Sequence, residues 1–353
     1  PLLVPNAPTI GTASSGGSLA ISIAFTAPSD VGGGAITSYE AIATDTVTAA
    51  VFTASGSSSP VTVTGLTEGQ TYTVTVSATN AYGPSSISAA SNSFQAAVAL
   101  ELWGMGNGNY GALGQGNTTT YSSPVQVGAL TDWAIVASST HGLAVKTDGS
   151  LWSWGKNQFG ALGNGNTTNT SSPVQIGALT TWATVGANQY HSAAIKNDGT
   201  LWAWGYNAKG QLGQGNTTNY SSPVQVGALT NWLEVACSTY ATMATKTDGT
   251  LWTIGDNVYG QLGDGSTTNR SSPVQVGALT TWSKVAGTGM YCMALKTDGT
   301  IWGFGRNQYG GLGQGNTTDY SSPVQVGALT TWSIVKAGGD LNGSEFVTAI
   351  KTD

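Results

Sequence analysis

Few side chains in this 353-residue chain carry the chemistry of catalysis or metal binding, and their spacing is informative. Its two histidines, His141 and His191, stand a full sequence repeat apart. Asp148, Asp198, Asp248 and Asp298 each precede a glycine, again one repeat apart. A catalytic or structural zinc needs three or four converging ligands, and calcium needs six to eight oxygens. Single residues recurring at such intervals supply neither, so no metal site is expected. The histidines read as structural and the aspartates as turn residues, because Asp-Gly between two apolar runs is a strong hairpin signal. No Gly-x-Ser-x-Gly, phosphate-binding loop or Ser/His/Asp set occurs. Neither a catalytic residue nor a cofactor is therefore expected, and the chain reads as a non-enzyme. Cys237 and Cys292 fall at different distances from the tryptophans that precede them, Trp232 and Trp282, so no disulfide is predicted.

The remaining candidates are positions at which near-identical copies disagree. Trp152, Trp202, Trp252 and Trp302 recur at a fixed interval, and the string Ser-Ser-Pro-Val-Gln returns at Ser122, Ser171, Ser221, Ser271 and Ser321. Against that constancy, the residue after a shared glycine reads Asn107, Lys156, Tyr206, Asp256, Arg306. The residue before Ser-Ser-Pro reads Tyr121, Thr170, Tyr220, Arg270, Tyr320. Both positions are expected in loops, beside the amide-rich segments at Asn117, Asn166, Asn216 and Asn316. Aromatic rings flanked by amides and hydroxyls suit sugar recognition: a flat apolar face with directional hydrogen bonds. The candidate ligand contacts are thus Tyr121, Tyr220, Arg270, Tyr320, Lys156, Tyr206, Asp256 and Arg306.

The elements that position them come from the repeat. A period near fifty residues marks a propeller, solenoid or array, whose units bury apolar faces only against their neighbours. In the second unit four extended segments stand out: Leu151 to Trp154, Pro173 to Ile176, Trp182 to Val185 and His191 to Lys196. Four antiparallel strands per unit, repeated radially, describe a propeller blade. Trp-Gly-x-Asn, Gly-x-Leu-Gly, Pro-Val and Asp-Gly-Thr-Leu-Trp together resemble the regulator of chromosome condensation repeat family, with 205–213 a close match and all five units covered. The resemblance implies a propeller, usually of seven blades. One founding member of that family catalyses nucleotide exchange on a small GTPase, whereas many others are scaffolds, so fold carries over better than function. The first unit has no Asp-Gly hairpin before it, and the last has no Leu-Trp strand after it. Each end lacks what the other supplies, which favours a ring of five blades closed by pairing the two ends. The rival is a seven-bladed ring of which these are part. The last unit also carries five extra residues between Gly338 and Phe346.

Residues 1–97 read differently. Alternation over Leu19 to Phe25, Val61 to Val63 and Tyr72 to Val76 predicts short strands of a β-sandwich. The segments 5–8, 32–39, 65–67, 72 and 78–83 resemble the fibronectin type III family. That resemblance implies a tyrosine corner at Leu66 and Tyr72, with Phe25 in place of the usual core tryptophan. The expected fold is all-β: an immunoglobulin-like β-sandwich over 1–97, followed by a β-propeller of four-stranded blades over 98–353.

Composition narrows the function. Charged residues are 8% of the chain, glycines number 50, and the formal net charge is −6. All eleven Lys and Arg lie beyond residue 97 and are nearly balanced there by acids. Nucleic-acid binding draws on a basic footprint that is missing here. No run of eighteen apolar residues predicts a membrane span. The chain opens on Pro1 with no signal peptide, which reads as a processed product or a piece of something longer. The expectation is an extracellular, virion- or cell-surface structural protein, such as a phage fibre or decoration protein. It would present its propeller to a host-surface glycan and partner other structural proteins of the same assembly. The alternative is a bacterial surface or filament scaffold that uses its repeats for self-assembly, without a ligand.

Overall fold

The structure, a computed structural model, describes residues 3–98, 100–129, 131–338 and 346–352. It is all-β: apart from one 3-10 turn at Asn109–Gly111, no helix occurs among the described residues. Two compact units divide the chain, Pro1–Leu100 and Glu101–Asp353.

The first unit is a sandwich of two antiparallel sheets. One joins Thr9–Ser15, Ile21–Thr26 and Val61–Val63; the other is built on Val51–Gly56, Ile36–Asp45 and Thr71–Asn80, with Gly83–Pro84 and Phe94–Gln95 at its margin. Alternation puts Ile21, Ile23 and Phe25 inward to meet Val74, Val76 and Tyr39. Phe25 and Tyr39 pack with ring centroids 4.7 Å apart. Tyr72 is fully buried, and its hydroxyl accepts the Thr67 backbone N–H at 3.0 Å. The corner expected at Leu66 and Tyr72 is thus formed.

Among the described residues, the second unit holds four complete four-stranded antiparallel blades. The first runs Trp133–Ser138, His141–Lys146, Leu151–Gly155, Thr170–Gln175; the second Trp182–Ala187, His191–Lys196, Leu201–Gly205, Tyr220–Gln225. The third runs Trp232–Cys237, Ala241–Lys246, Leu251–Gly255, Arg270–Gln275; the fourth Trp282–Thr288, Tyr291–Lys296, Ile301–Gly305, Tyr320–Gln325. The four strands expected of one repeat therefore do not make one blade. The Asp-Gly hairpin ties the second strand of a blade to the third, so each blade straddles two repeats. Innermost strands pack side by side and line a common channel of about 530 Å³, in whose wall Lys284 and Glu234 of neighbouring blades pair at 3.6 Å.

The core lies between blades. Leu143, Val145 and Leu151 of the first blade cluster with Trp182, Val185 and Trp204 of the second. Close approach is what the glycines permit. A Cβ on Gly160 would sit 2.5 Å from Ser221 Cα of the next blade, and Gly165 N–H donates to the Ser221 carbonyl at 2.8 Å. The same bond recurs from Gly116 to Ser171, Gly215 to Ser271 and Gly265 to Ser321. The constancy of Gly-x-Leu-Gly-x-Gly and Ser-Ser-Pro is explained by this clamp between neighbours.

The expected closing pair is not made. Trp103–Gly106 pairs with Tyr121–Gln126, and Trp332–Gly338 with Phe346–Lys351, as two separate two-stranded sheets. Trp103, Met105, Phe346 and Ile350 are more than half exposed, although the matching side chains of complete blades are largely buried. The strands at the two ends of the repeat row therefore stay in half-sheets and do not complete a fifth blade. Most of the five extra residues expected in the last unit lie outside the described residues.

Candidate functional site

Each blade carries three variable side chains on the face where its first two strands turn and its third strand ends. Gly205, at φ +106°, bends the chain after the third strand, where a Cβ would meet the Tyr190 carbonyl at 2.7 Å. The next residue, Tyr206, donates its N–H to the same carbonyl at 3.0 Å. Lys156 does this to Thr140, Asp256 to Tyr240 and Arg306 to Met290. Backbone geometry thus sets the residue after the glycine beside the residue before the histidine position.

The Asn that follows fixes the rest of the loop. Asn207 is fully buried; its Oδ1 accepts from Leu212 N–H, while its Nδ2 donates to the carbonyls of Asn216 and Thr218. Asn157 and Asn257 repeat these bonds. This stapling presents a third variable residue, Tyr110, Phe159, Lys209 or Tyr259, toward the following blade.

There the variable positions meet in pairs. Lys156 Nζ lies 5.2 Å from the Tyr110 ring centroid. Phe159 packs on Tyr206 at 4.6 Å, Lys209 reaches Asp256 at 3.8 Å, and Arg306 lies over Tyr259 at 5.2 Å. The strip is broadest at the second and third blades. Tyr190 is 5.8 Å from both Phe159 and Tyr206, and it stacks on Tyr240 at 5.7 Å and 22°. Lys156 adds a cation 5.5 Å from the Tyr190 ring. Buried Asp256 takes a hydrogen bond from Gln261 at 3.0 Å, and burial holds the Tyr240 phenol above its usual range. The candidates Lys156, Tyr206, Asp256 and Arg306 are therefore brought onto one strip. Thr140, Tyr190, Tyr240 and Phe159 belong to it as well. Their signal was the same disagreement between copies, at positions before the histidine and four after the glycine.

The other candidates lie elsewhere. Tyr121, Tyr220 and Tyr320 begin outermost strands, where their hydroxyls receive Asn117, Asn216 and Asn316 Nδ2 at 3.0–3.2 Å. Arg270 is held by Asp264 at 2.8 Å. These side chains and the amide-rich segments satisfy one another inside their own loops.

His141 and His191 are wholly buried braces. His141 Nε2 meets Ser192 Oγ of the next blade at 2.7 Å, and that hydroxyl donates to the Ala161 carbonyl. A hydroxyl has one proton, so Nε2 carries the other and the ring is the neutral Nε2–H tautomer. His191 repeats the relay through Thr242 to the Gln211 carbonyl. Burial pushes the two imidazoles down to about 4 and about 3. Asp198 caps its turn through Thr200 N–H and Oγ1, and Thr200 Oγ1 receives the Trp202 indole N–H at 2.8 Å. Cys237 and Cys292 are separate buried thiols. No cluster of three or more His, Cys, Asp or Glu forms among the described residues.

Comparison with known families agrees with this architecture. The regulator of chromosome condensation (RCC1) repeat matches at 101–145, 148–195, 198–245, 248–295 and 298–342. The chain belongs to the RCC1 repeat family. A fibronectin type III domain matches at 6–94. No curated protein matches the chain in sequence. Among solved structures, human WBSCR16 is 16% identical, covering 99% of this chain and 89% of its own, with a TM-score of 0.61. Prp20p from Saccharomyces cerevisiae, whose crystal structure is described with its binding to Gsp1p and histones, is 17% identical, covering 71% of this chain and 81% of its own, with a TM-score of 0.47. Identities this low speak to the fold alone. Within the RCC1 repeats of this chain, the constant residues build the blades and the variable ones build the strip.

Proposed function

We propose that this chain is a non-enzymatic attachment protein of an exposed surface, extracellular or virion-borne, in which a fibronectin-like spacer carries a propeller that binds host-surface glycan. A phage fibre or decoration protein is the kind of particle component this describes. The observation that carries the reading is the joined ring cluster of Phe159, Tyr190, Tyr206 and Tyr240, flanked by Lys156. Half-buried rings held by inter-blade packing offer apolar faces to sugar C–H groups at little entropic cost, with phenol hydroxyls at their edges. The low charge and the net charge of −6 suit a surface recognised through hydroxyls and amides, and they disfavour nucleic acid. The test is a glycan array together with binding to whole cells, run on the protein and on Tyr190→Ala/Tyr206→Ala. A loss of at least about tenfold in affinity, with the fold retained, supports it. A blank array with no cell binding overturns it.

A second reading, a bacterial surface or filament scaffold, is favoured by the exposed strand edges at Trp103–Gly106 and Phe346–Lys351. Light scattering separates the two. Growth of regular oligomers with concentration supports the scaffold, and a monomer that binds glycan supports attachment.

A further inference from the structure

Away from the strip, a crevice opens beside the outermost strand where one blade meets the next. One, of about 410 Å³, is walled by Asn164, Ile176, Trp182, Lys196, Trp202 and Pro223. A second, of about 230 Å³, repeats it in register two blades on, with Asp264, Val276, Trp282, Trp302 and Pro323. The half-buried indole of Trp202 has its N–H taken by Thr200, and it lines the crevice with the part of its ring that Lys196 leaves uncovered. Trp182 stands edge-on to it at 6.1 Å, and its own indole N–H has no acceptor among the described residues. Lys196 Nζ is held 3.7 Å from the Trp202 centroid and 4.9 Å from that of Trp182.

The charge of this lysine is unbalanced. In the first blade Lys146 sits between Trp133 and Trp152 in the same way, but Asp132 lies 3.4 Å from its Nζ. The residue before the inner tryptophan becomes Thr181, Asn231 and Thr281 in later blades. The stems of Lys196, Lys246 and Lys296 are largely covered, and among the described residues their ammonium groups have no hydrogen bond and no ion pair within 4.0 Å. Burial lowers their affinity for the proton, opposed in part by the more distant Asp198, Asp248 and Asp298. An ammonium that opens on a crevice with no carboxylate paired to it is free to donate a charge-assisted hydrogen bond to an incoming anion.

We propose that the crevice at Trp202 binds a hexuronate, its carboxylate on Lys196 and the apolar face of its pyranose ring on the indole. The Asn164 and Gln175 amides and the Ser222 hydroxyl supply polar groups for sugar hydroxyls. The lysine–indole pair recurs at Lys246 and Trp252, 3.8 Å apart, but Gln214 stands there in place of Asn164 and its amide donates to the Leu212 and Gln225 carbonyls. At Trp302 Asp264, engaged by Arg270 and Asn257, replaces Asn164, so this crevice is smaller and lacks that amide, which makes it the weaker site. The site is separate from the aromatic strip and independent of any role for it.

The test is calorimetry and indole ¹⁵N–¹H spectra of the whole chain with glucuronate, glucose, benzoate and an oligogalacturonide. Glucuronate binding, with shifts at Trp202 and no comparable response to glucose or benzoate, is the expected result. Thr181→Asp reproduces the aspartate that precedes Trp133, so it neutralises Lys196 with a residue the fold already accepts. It is expected to weaken binding at Trp202 at least tenfold without lowering the melting temperature. Tighter binding of the oligomer assigns polysaccharide as the source, and equal affinity assigns the free acid. An equal response to glucose, benzoate matching glucuronate, unchanged affinity in Thr181→Asp, or no response to either uronate overturns the proposal.

Discussion

Lys209 of one blade reaches Asp256 of the next at 3.8 Å, in the same two positions where Phe159 packs on Tyr206 and Tyr259 meets Arg306. The positions at which the repeats disagree are thus partners. A ring faces a ring, a cation faces a ring, and a cation faces a carboxylate. Variation at one position is matched by variation one blade away.

This pairing is transferable. Phe159→Lys with Tyr206→Asp recreates one blade earlier the couple seen at Lys209 and Asp256. The double variant is expected to melt above the Tyr206→Asp single, which leaves a carboxylate against a ring. A coupling free energy of about 0.5–1 kcal/mol from a double-mutant cycle is the expected size for a partly exposed pair. Additive effects would show that the positions do not interact.

Acid should weaken the propeller through its histidines. Unfolded, an imidazole binds its proton near pH 6.5; folded, His141 and His191 resist protonation until about 4 and about 3. Between those values the unfolded state holds more protons, so stability is fully present above pH 6.5 and declines as pH falls toward 4. Urea unfolding at pH 7.5 and pH 4.5 measures the loss, of order a few kcal/mol for the two together. His191→Ala, matching Ala241 in the next blade, is expected to lower stability at pH 7.5 and to flatten the pH dependence.

Blade contact leaves no room at Gly160. An alanine there would place Cβ 2.5 Å from Ser221 Cα at φ +83°, so backbone must move. Destabilisation of about 2–4 kcal/mol is expected in thermal melts. Gly177, also at positive φ but facing open space, serves as the control, with a cost nearer 1 kcal/mol.

In the sandwich, Tyr72→Phe removes the acceptor of Thr67 N–H and nothing else. A loss of about 1–3 kcal/mol is expected in the unfolding transition of that unit.

The sequence showed more of the blades than of their assembly. The strand His191–Lys196 has the bounds its alternation and turns suggest, because an Asp-Gly hairpin and an apolar run act over a few residues. The tyrosine corner at Leu66 and Tyr72 was implied by the resemblance to the fibronectin type III family. One reading went further than local pattern allows, and one residue escaped it. Pairing of the ends depends on the rotation accumulated over five interfaces, which no single repeat encodes. The role of Tyr190 depends on a hydrogen bond from Tyr206 N–H that brings two distant loops together. Tyr220 and Arg270 looked free in sequence because their partners, Asn216 and Asp264, lie in the same amide-rich loop and are consumed there.

Because each blade is fastened chiefly to its two neighbours, loss of structure should travel like an opening zip. The half-sheets at Trp103–Gly106 and Phe346–Lys351, fastened on one side, set where fraying begins. Amide protons of His191–Lys196 and Ala241–Lys246, in the middle of the row, are then the last to exchange with deuterated solvent.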